Sequence, residues 1–212
     1  MILPTLDIES SLWQKGFRYI VGIDEVGRGS WAGPLVAAGV ILPPSFIMPD
    51  GLADSKQVQP QKRSKLAKYI KETAIATYIA KIPAKFIDKF GIVKATDCAF
   101  RQIARKLVPT PDFCLIDAFH IKYFSQKKQM AVAGGDKICA SISCASIIAK
   151  VYRDNLMKKL HHKFPDYGFA KHKGYGTKSH QQAITRYGFC KIHRTSYNLD
   201  FLLHTPPRHS GA

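Results

Sequence analysis

Two apolar runs near the start of the chain constrain the fold most. They are "YIVGIDEV" at 19–26 and "GPLVAAGVILP" at 33–43. Each is strand-length, rich in β-branched residues and bounded by turn signals, so each predicts a strand. Only a Gly-rich turn separates them, which predicts a hairpin. Beyond it, strand-like and helix-like stretches alternate. "ATYIAKIP" at 76–83 alternates as a strand does. "PDFCLIDAF" at 111–119 is a short buried strand, and "QMAVAG" at 129–134 a weaker one.

The helical stretches are equally legible. The lead-in "ESSLWQKGF" predicts a helical turn, and 55–74 predicts a basic helix. Residues 84–91 and 92–108 read as a short helix followed by a longer one. The segment 136–164 predicts one long helix, with a stripe through Ile142, Ala145, Ala149 and Leu156 and a first half buried nearly all round. A further helix starts near Lys178. Strands first, then strands alternating with helices, predict a mixed-sheet α/β domain. The 212 residues suit one domain, with a core over about 17–200 and a loose tail at 201–212.

Charge narrows the partner. Lys and Arg number 32 against 15 acids, a net charge of +17. A polyanion, most often nucleic acid, is the partner such an excess predicts. The five cysteines form no CxxC pair and several sit in apolar runs, so neither a disulfide framework nor a zinc site is expected. No signal peptide or membrane span is evident. A cytoplasmic protein is the expectation.

Acids are scarce, so each is informative. Glu25 is the only one of three glutamates in an apolar strand context, and Asp24 precedes it. Adjacent acids closing a buried strand repel one another and desolvate badly without a cation. They could share a site if the strand ended there and turned at Gly27 and Gly29. Asp117 repeats the pattern at the end of "FCLID". Asp136, in "AGGDK", enters the long helix, where it could equally be an N-cap. Carboxylates converging on a sheet edge without a His/Cys set point to magnesium or manganese. With a basic surface, that suggests two-metal phosphodiester chemistry.

Several groups could meet phosphate or sugar. Gly27-Arg28-Gly29 offers bare backbone and a guanidinium. Lys56 precedes a helix, and Lys150 and Arg153 project from one side of the long helix. Lys173 and Tyr175 share a Gly-flanked loop in which an aromatic could stack on a base or sugar. The histidines 172, 180 and 193 match no closed zinc spacing.

The ordered set "GIDEVGRGSWAGPLVAAGV", "DSK", "LIDA", "GGDK", "ASIIAKVYRD", "HKGYGT" and "GFCKIHRTSY" resembles bacterial ribonuclease HII over roughly 17–200. The resemblance implies a ribonuclease-H-like mixed five-stranded sheet flanked by helices, with a helical C-terminal part. It implies that Asp24, Glu25, Asp117 and Asp136 bind Mg2+ or Mn2+, that Gly27, Arg28 and Gly29 read a ribonucleotide 2′-OH, and that Tyr175 packs on the neighbouring deoxyribose. The implied reaction is hydrolysis on the 5′ side of a ribonucleotide, in an RNA–DNA hybrid or embedded in duplex DNA, leaving 3′-hydroxyl and 5′-phosphate ends. A monomer is expected. The chain departs from the family pattern at Lys94, Ala118 and Cys144. The competing reading is a non-catalytic nucleic-acid-binding protein whose acids cap turns; a glycosidase suits the basic charge poorly.

Overall fold

The computed structural model describes residues 3–52 and 58–203. Five strands form one sheet in the order β3-β2-β1-β4-β5. They are β1 Ile20–Val26, β2 Leu35–Ile41, β3 Ala76–Ile82, β4 Phe113–Asp117 and β5 Gln129–Val132. β1 pairs antiparallel with β2 and parallel with β4, which pairs parallel with β5. The sheet is therefore mixed, and the hairpin expected from 19–43 is present. Seven helices are described: α1 Asp7–Gln14, α2 Pro60–Thr73, α3 Ala84–Lys106, α4 Gly135–Ile138, α5 Ala140–Lys163, α6 Phe169–His172 and α7 Lys178–Tyr187.

The chain divides into two compact units, one of residues 1–26, 36–81 and 96–152, the other of 27–35, 82–95 and 153–212. The first holds the sheet. Every residue of β2 is buried, because its two faces are both covered, as in a strand inside a layered α/β fold. Val36, Ala38 and Val40 pack with Leu66 and Ile70 of α2 and with Ala145 and Ile148 of α5. A second cluster joins Leu12, Ile20, Leu115, Val132 and Ile142. The glycines inside β1 and β2 mark where helices lie closest. A Cβ on Gly39 would stand 2.3 Å from the Ile103 side chain, and one on Gly22 would stand 2.2 Å from the Ser141 carbonyl carbon. Backbone cannot yield as a side chain can. Gly22→Ala is therefore expected to cost about 3 kcal/mol or more, read as a lowered urea midpoint at unchanged slope.

The second unit packs Ala32, Met157, Tyr167, Phe169 and Ala183 into one cluster and Ile184, Leu199 and Leu202 into another. Thr177 caps α7, its hydroxyl accepting the His180 N–H at 3.3 Å.

Two helices test local reading. α3 carries non-helical dihedrals at Gly91, φ 80° and ψ 160°, which is the break expected between 84–91 and 92–108. The long helix expected over 136–164 instead begins at Ala140. Cys139 is extended, φ −108° and ψ 124°, because Thr5 bridges it in parallel, donating to the Ile138 carbonyl and accepting from Ala140, both at 2.9 Å. Asp136 consequently belongs to the short α4, not to the N-cap of the long helix. That start is served from a distance: the buried Glu9 accepts the Ser141 N–H at 2.8 Å, a carboxylate at the positive end of α5. No described helix is long and apolar enough to cross a membrane.

Candidate active site

Strand pairing brings the key acids together. β1 and β4 run parallel, and Ile23 faces Ile116 as the last pair of their ladder. Asp24 and Asp117 each follow that pair. Neighbours across a parallel ladder share a face, so both carboxylates leave the same side of the sheet. β1 does not end at Asp24. Its ladder with β2 continues through Glu25–Ala37 and Val26–Val36, yet the Glu25 charge still acts on Asp24, more strongly than that of Asp117.

Asp24 is 8% exposed. Burial holds its carboxyl well above the usual carboxylate range, and the charges of Glu25 and Asp117 push it the same way. A Ser146 hydrogen bond and the Glu25 N–H, 2.7 Å from Oδ1, oppose the rise. Asp117 is fixed by the Gly135 N–H, which donates to Oδ1 at 2.8 Å. That bond ties the end of β4 to α4, where Asp136 is also buried, at 7% exposure.

Among the described residues, no three His, Cys, Asp or Glu side chains form a ready-made cage for an ion. A magnesium-like cation does not require one, because it keeps several waters and takes one or two carboxylates together with phosphate oxygens of a substrate. The donor set is oxygen only, and Asp24 is under electrostatic strain that a cation would relieve. Both properties fit a hard dication.

The Gly-rich loop belongs to the second unit. Gly27 has φ +91° and its carbonyl accepts the Ser30 hydroxyl at 2.9 Å. Arg28 is half-buried and Gly29 exposed. The Arg28 carbonyl accepts from Arg194 Nη1 at 2.7 Å and from the Tyr197 hydroxyl at 2.5 Å. Arg153, expected at the substrate, has a different task. It is fully buried, and it donates to the carbonyls of Pro34, Ala32 and Lys173 and to the Ser30 hydroxyl, at 3.1, 3.2, 3.0 and 2.6 Å. Burial pushes its guanidinium down to about 10. It is the strut of the loop, and a Cβ on Gly27 would run into it, 2.2 Å from Nε.

Lys150 is half-buried on α5. Lys173 turns its ammonium back onto the carbonyls of Ala170 and Lys171. Tyr175 is 36% exposed, with the Arg153 guanidinium 5.5 Å from its ring centre. Lys56 lies outside the described residues. Three contributors went unrecognised in the sequence: Ser146, Glu9 and the fully buried Arg194. Each acts across a long separation, so no local spacing announces it.

The histidines 172, 180 and 193 do meet. The rings of His172 and His180 stack at 4.4 Å, and those of His180 and His193 lie 5.2 Å apart. Burial pushes His180 and His193 down to about 4 and lowers His172 as well. A base whose folded-state pKa is depressed takes up its proton more readily when unfolded. Stability should therefore be complete above about pH 6.5 and fall as pH drops toward 4, by roughly 3 kcal/mol per fully shifted ring. Urea midpoints across that window check this; replacing His180 with Asn should flatten the slope.

A family model described as Ribonuclease HII matches residues 21–200. The chain is 44% identical over 191 residues to Ribonuclease HII of Syntrophus aciditrophicus, covering 90% of this chain and 89% of that one. It is 46% identical over 189 residues to Ribonuclease HII of Listeria monocytogenes serotype 4b, covering 89% and 71%. Among solved structures, ribonuclease H2 from Pyrococcus horikoshii superposes with a TM-score of 0.72 at 24% identity, covering 88% and 99%. Bst-RNase HIII, solved in complex with Mn2+, gives 0.66 at 16% identity, covering 87% and 68%. A ribonuclease-H-like sheet, acids aligned on adjacent parallel strands and a sequence match across nearly the whole chain agree: the chain belongs to the ribonuclease HII family, endonucleases with ribonuclease H activity.

Proposed function

We propose that the chain hydrolyses the phosphodiester on the 5′ side of a ribonucleotide, within RNA–DNA hybrids and at single ribonucleotides embedded in duplex DNA, leaving 3′-hydroxyl and 5′-phosphate ends. The observation that carries the reading is Asp24, a buried carboxylate facing the charges of Glu25 and Asp117. Asp24, Glu25, Asp117 and Asp136 would hold Mg2+ or Mn2+, and a Mn2+ complex of a structural neighbour is consistent with that choice. A dication held there would supply activation of water and offset of charge on the leaving oxygen. The chain supplies the rest. Ser146 and the Glu25 N–H hold Asp24, and the Gly135 N–H holds Asp117, so the ligands are set before substrate arrives. The Gly27-Arg28-Gly29 loop, braced by Arg153 and Arg194, presents bare backbone and the Arg28 side chain to the 2′-OH. Tyr175 offers its ring to the neighbouring deoxyribose. Lys56 and Lys150 add positive charge for phosphates. The free cysteines suit the reducing cytoplasm, and a monomer suffices for these roles.

The test is a DNA duplex carrying one ribonucleotide, incubated with Mg2+ or Mn2+, or with chelator. A single nick 5′ to the ribonucleotide, absent with chelator, supports the reading; binding without cutting under either metal contradicts it. Arg28→Ala should cut turnover on that duplex by about 10- to 100-fold, the worth of one charged hydrogen bond. An Arg28→Ala protein that cuts the duplex as fast as the parent would argue against contact with the 2′-OH.

A further inference from the structure

Every ring nitrogen of the histidine cluster has a partner, and the partners dictate one proton pattern. His180 Nδ1 lies 3.0 Å from the Tyr175 carbonyl, which can only accept, so Nδ1 carries the proton. In a neutral ring Nε2 then accepts. Its neighbour is His193 Nε2 at 3.0 Å, which must donate. His193 Nδ1 is thereby an acceptor, and the Cys190 N–H donates to it at 2.8 Å. His172 follows the same logic: Nε2 donates to the Tyr167 carbonyl at 2.6 Å and Nδ1 accepts the Gly174 N–H at 3.1 Å. One arrangement of three neutral rings satisfies these bonds; it leaves the longer approach of His193 Nδ1 to the Cys190 carbonyl, 3.3 Å, without a hydrogen.

The chain of rings ends on the loop that carries Tyr175. His172 holds the amide before Tyr175 and His180 its own carbonyl. The Gly174 carbonyl accepts from Trp31 at 2.8 Å and Ala32 at 3.2 Å, and Lys173 carries left-handed dihedrals, φ 54°. A Cβ on Gly176 would stand 2.2 Å from the Trp31 ring. The backbone on both sides of Tyr175 is thus clamped while its ring stays accessible. Three histidines were not needed to fill a core here; the adjoining cluster already has Met157, Tyr167 and Phe169.

We propose that His172, His180 and His193 are positioning residues for Tyr175, acting as a neutral hydrogen-bonded chain that sets the height and angle at which its ring meets the substrate. This rests on the reading of Tyr175 as the ring that packs on the deoxyribose. His193 keeps His180 in the tautomer that grips the Tyr175 carbonyl, and His172 fixes the preceding turn. The other charged or titratable groups that bear on these rings are Lys173 and His161, with the Cys190 thiol and Tyr167 hydroxyl nearby. Those that carry charge carry a positive one, so the surroundings favour the uncharged chain.

Two isosteres separate positioning from packing. In His180→Asn the amide takes the place of Nδ1 and can still donate to the Tyr175 carbonyl. In His180→Gln the amide takes the place of Nε2 and loses that bond. Cleavage of the one-ribonucleotide duplex is measured for both, alone and combined with Tyr175→Ala, below the melting temperature of each variant. The expected result is that His180→Asn keeps kcat/KM within about threefold of the parent while His180→Gln loses about tenfold, and that the difference vanishes when Tyr175 is Ala. Equal activities of Asn and Gln, or a His180→Gln loss that persists without Tyr175, would overturn the proposal. A parent that fails to cut the duplex under either metal would refute the nuclease reading instead; a Tyr175→Ala variant that cuts like the parent would overturn this inference alone.

Discussion

Asp24→Asn is expected to abolish cleavage and, in chelated solution, to make the protein more stable. The two effects have one cause. Asp24 is buried, and Glu25 and Asp117 raise its carboxyl pKa further, so at neutral pH the ionised side chain works against the fold. An Asn of the same shape removes that charge. Its oxygen still accepts the Glu25 N–H, and its amide can donate to Ser146. The relief should be on the order of 1–3 kcal/mol, seen as a higher melting temperature in chelator. Turnover should fall at least about 1,000-fold, because an amide cannot offset the charge of a dication. Asp117→Asn should lose activity similarly with a smaller gain in stability, since Asp117 is only half-buried. Stability held for function is a familiar trade, and a destabilised, inactive Asp24→Asn would contradict its placement among the ligands.

Arg153→Lys should be among the most damaging substitutions outside the acids, although it conserves charge. The guanidinium spans four acceptors that belong to 30–34 and 173. An ammonium has three donors radiating from one point and cannot reach them all. At least one buried carbonyl or hydroxyl would lose its partner, and the buried charge would be poorly solvated. The expected loss is about 3–5 kcal/mol, or roughly 10 °C in melting temperature. Activity on the one-ribonucleotide duplex should drop as well, since Arg153 braces both the Gly27-Arg28-Gly29 loop and the turn before Tyr175. An Arg153→Lys protein that melts like the parent would show that these bonds carry little energy.

What was legible in the sequence was whatever depends on neighbours along the chain. Alternation and turn residues marked all five strands, and Gly91 marked the break in α3. Asp117 was readable because the strand that carries it ends with it. Pairings between distant segments were not readable. Nothing near Cys139 says that Thr5 will bridge it and halt a helix, and nothing near Ser141 says that Glu9 will cap it from 130 residues away. Asp24 and Glu25 were expected to share a turn at the end of β1; in the structure β1 continues to Val26, and β4 adds Asp117, whose charge acts on Asp24 together with that of Glu25. Arg153 illustrates the same limit. Its spacing from Lys150 predicted one shared side of the helix, with both at the substrate, yet the carbonyls of Ala32 and Pro34 and the Ser30 hydroxyl take up its guanidinium and leave it fully buried. The histidines at 172, 180 and 193 offered no metal spacing, and their hydrogen-bonded order becomes visible only when α6, α7 and the segment after α7 are placed together.

The most direct test of the central claim is the Mn2+ affinity of the protein, read by electron paramagnetic resonance of the unbound ion. Parent, Asp24→Asn and Glu72→Gln are compared, the last removing an exposed acid that lies 3.8 Å from Lys68. The account predicts that Glu72→Gln binds Mn2+ as the parent does, while Asp24→Asn binds it at least about tenfold more weakly. Undiminished Mn2+ binding by Asp24→Asn would contradict it.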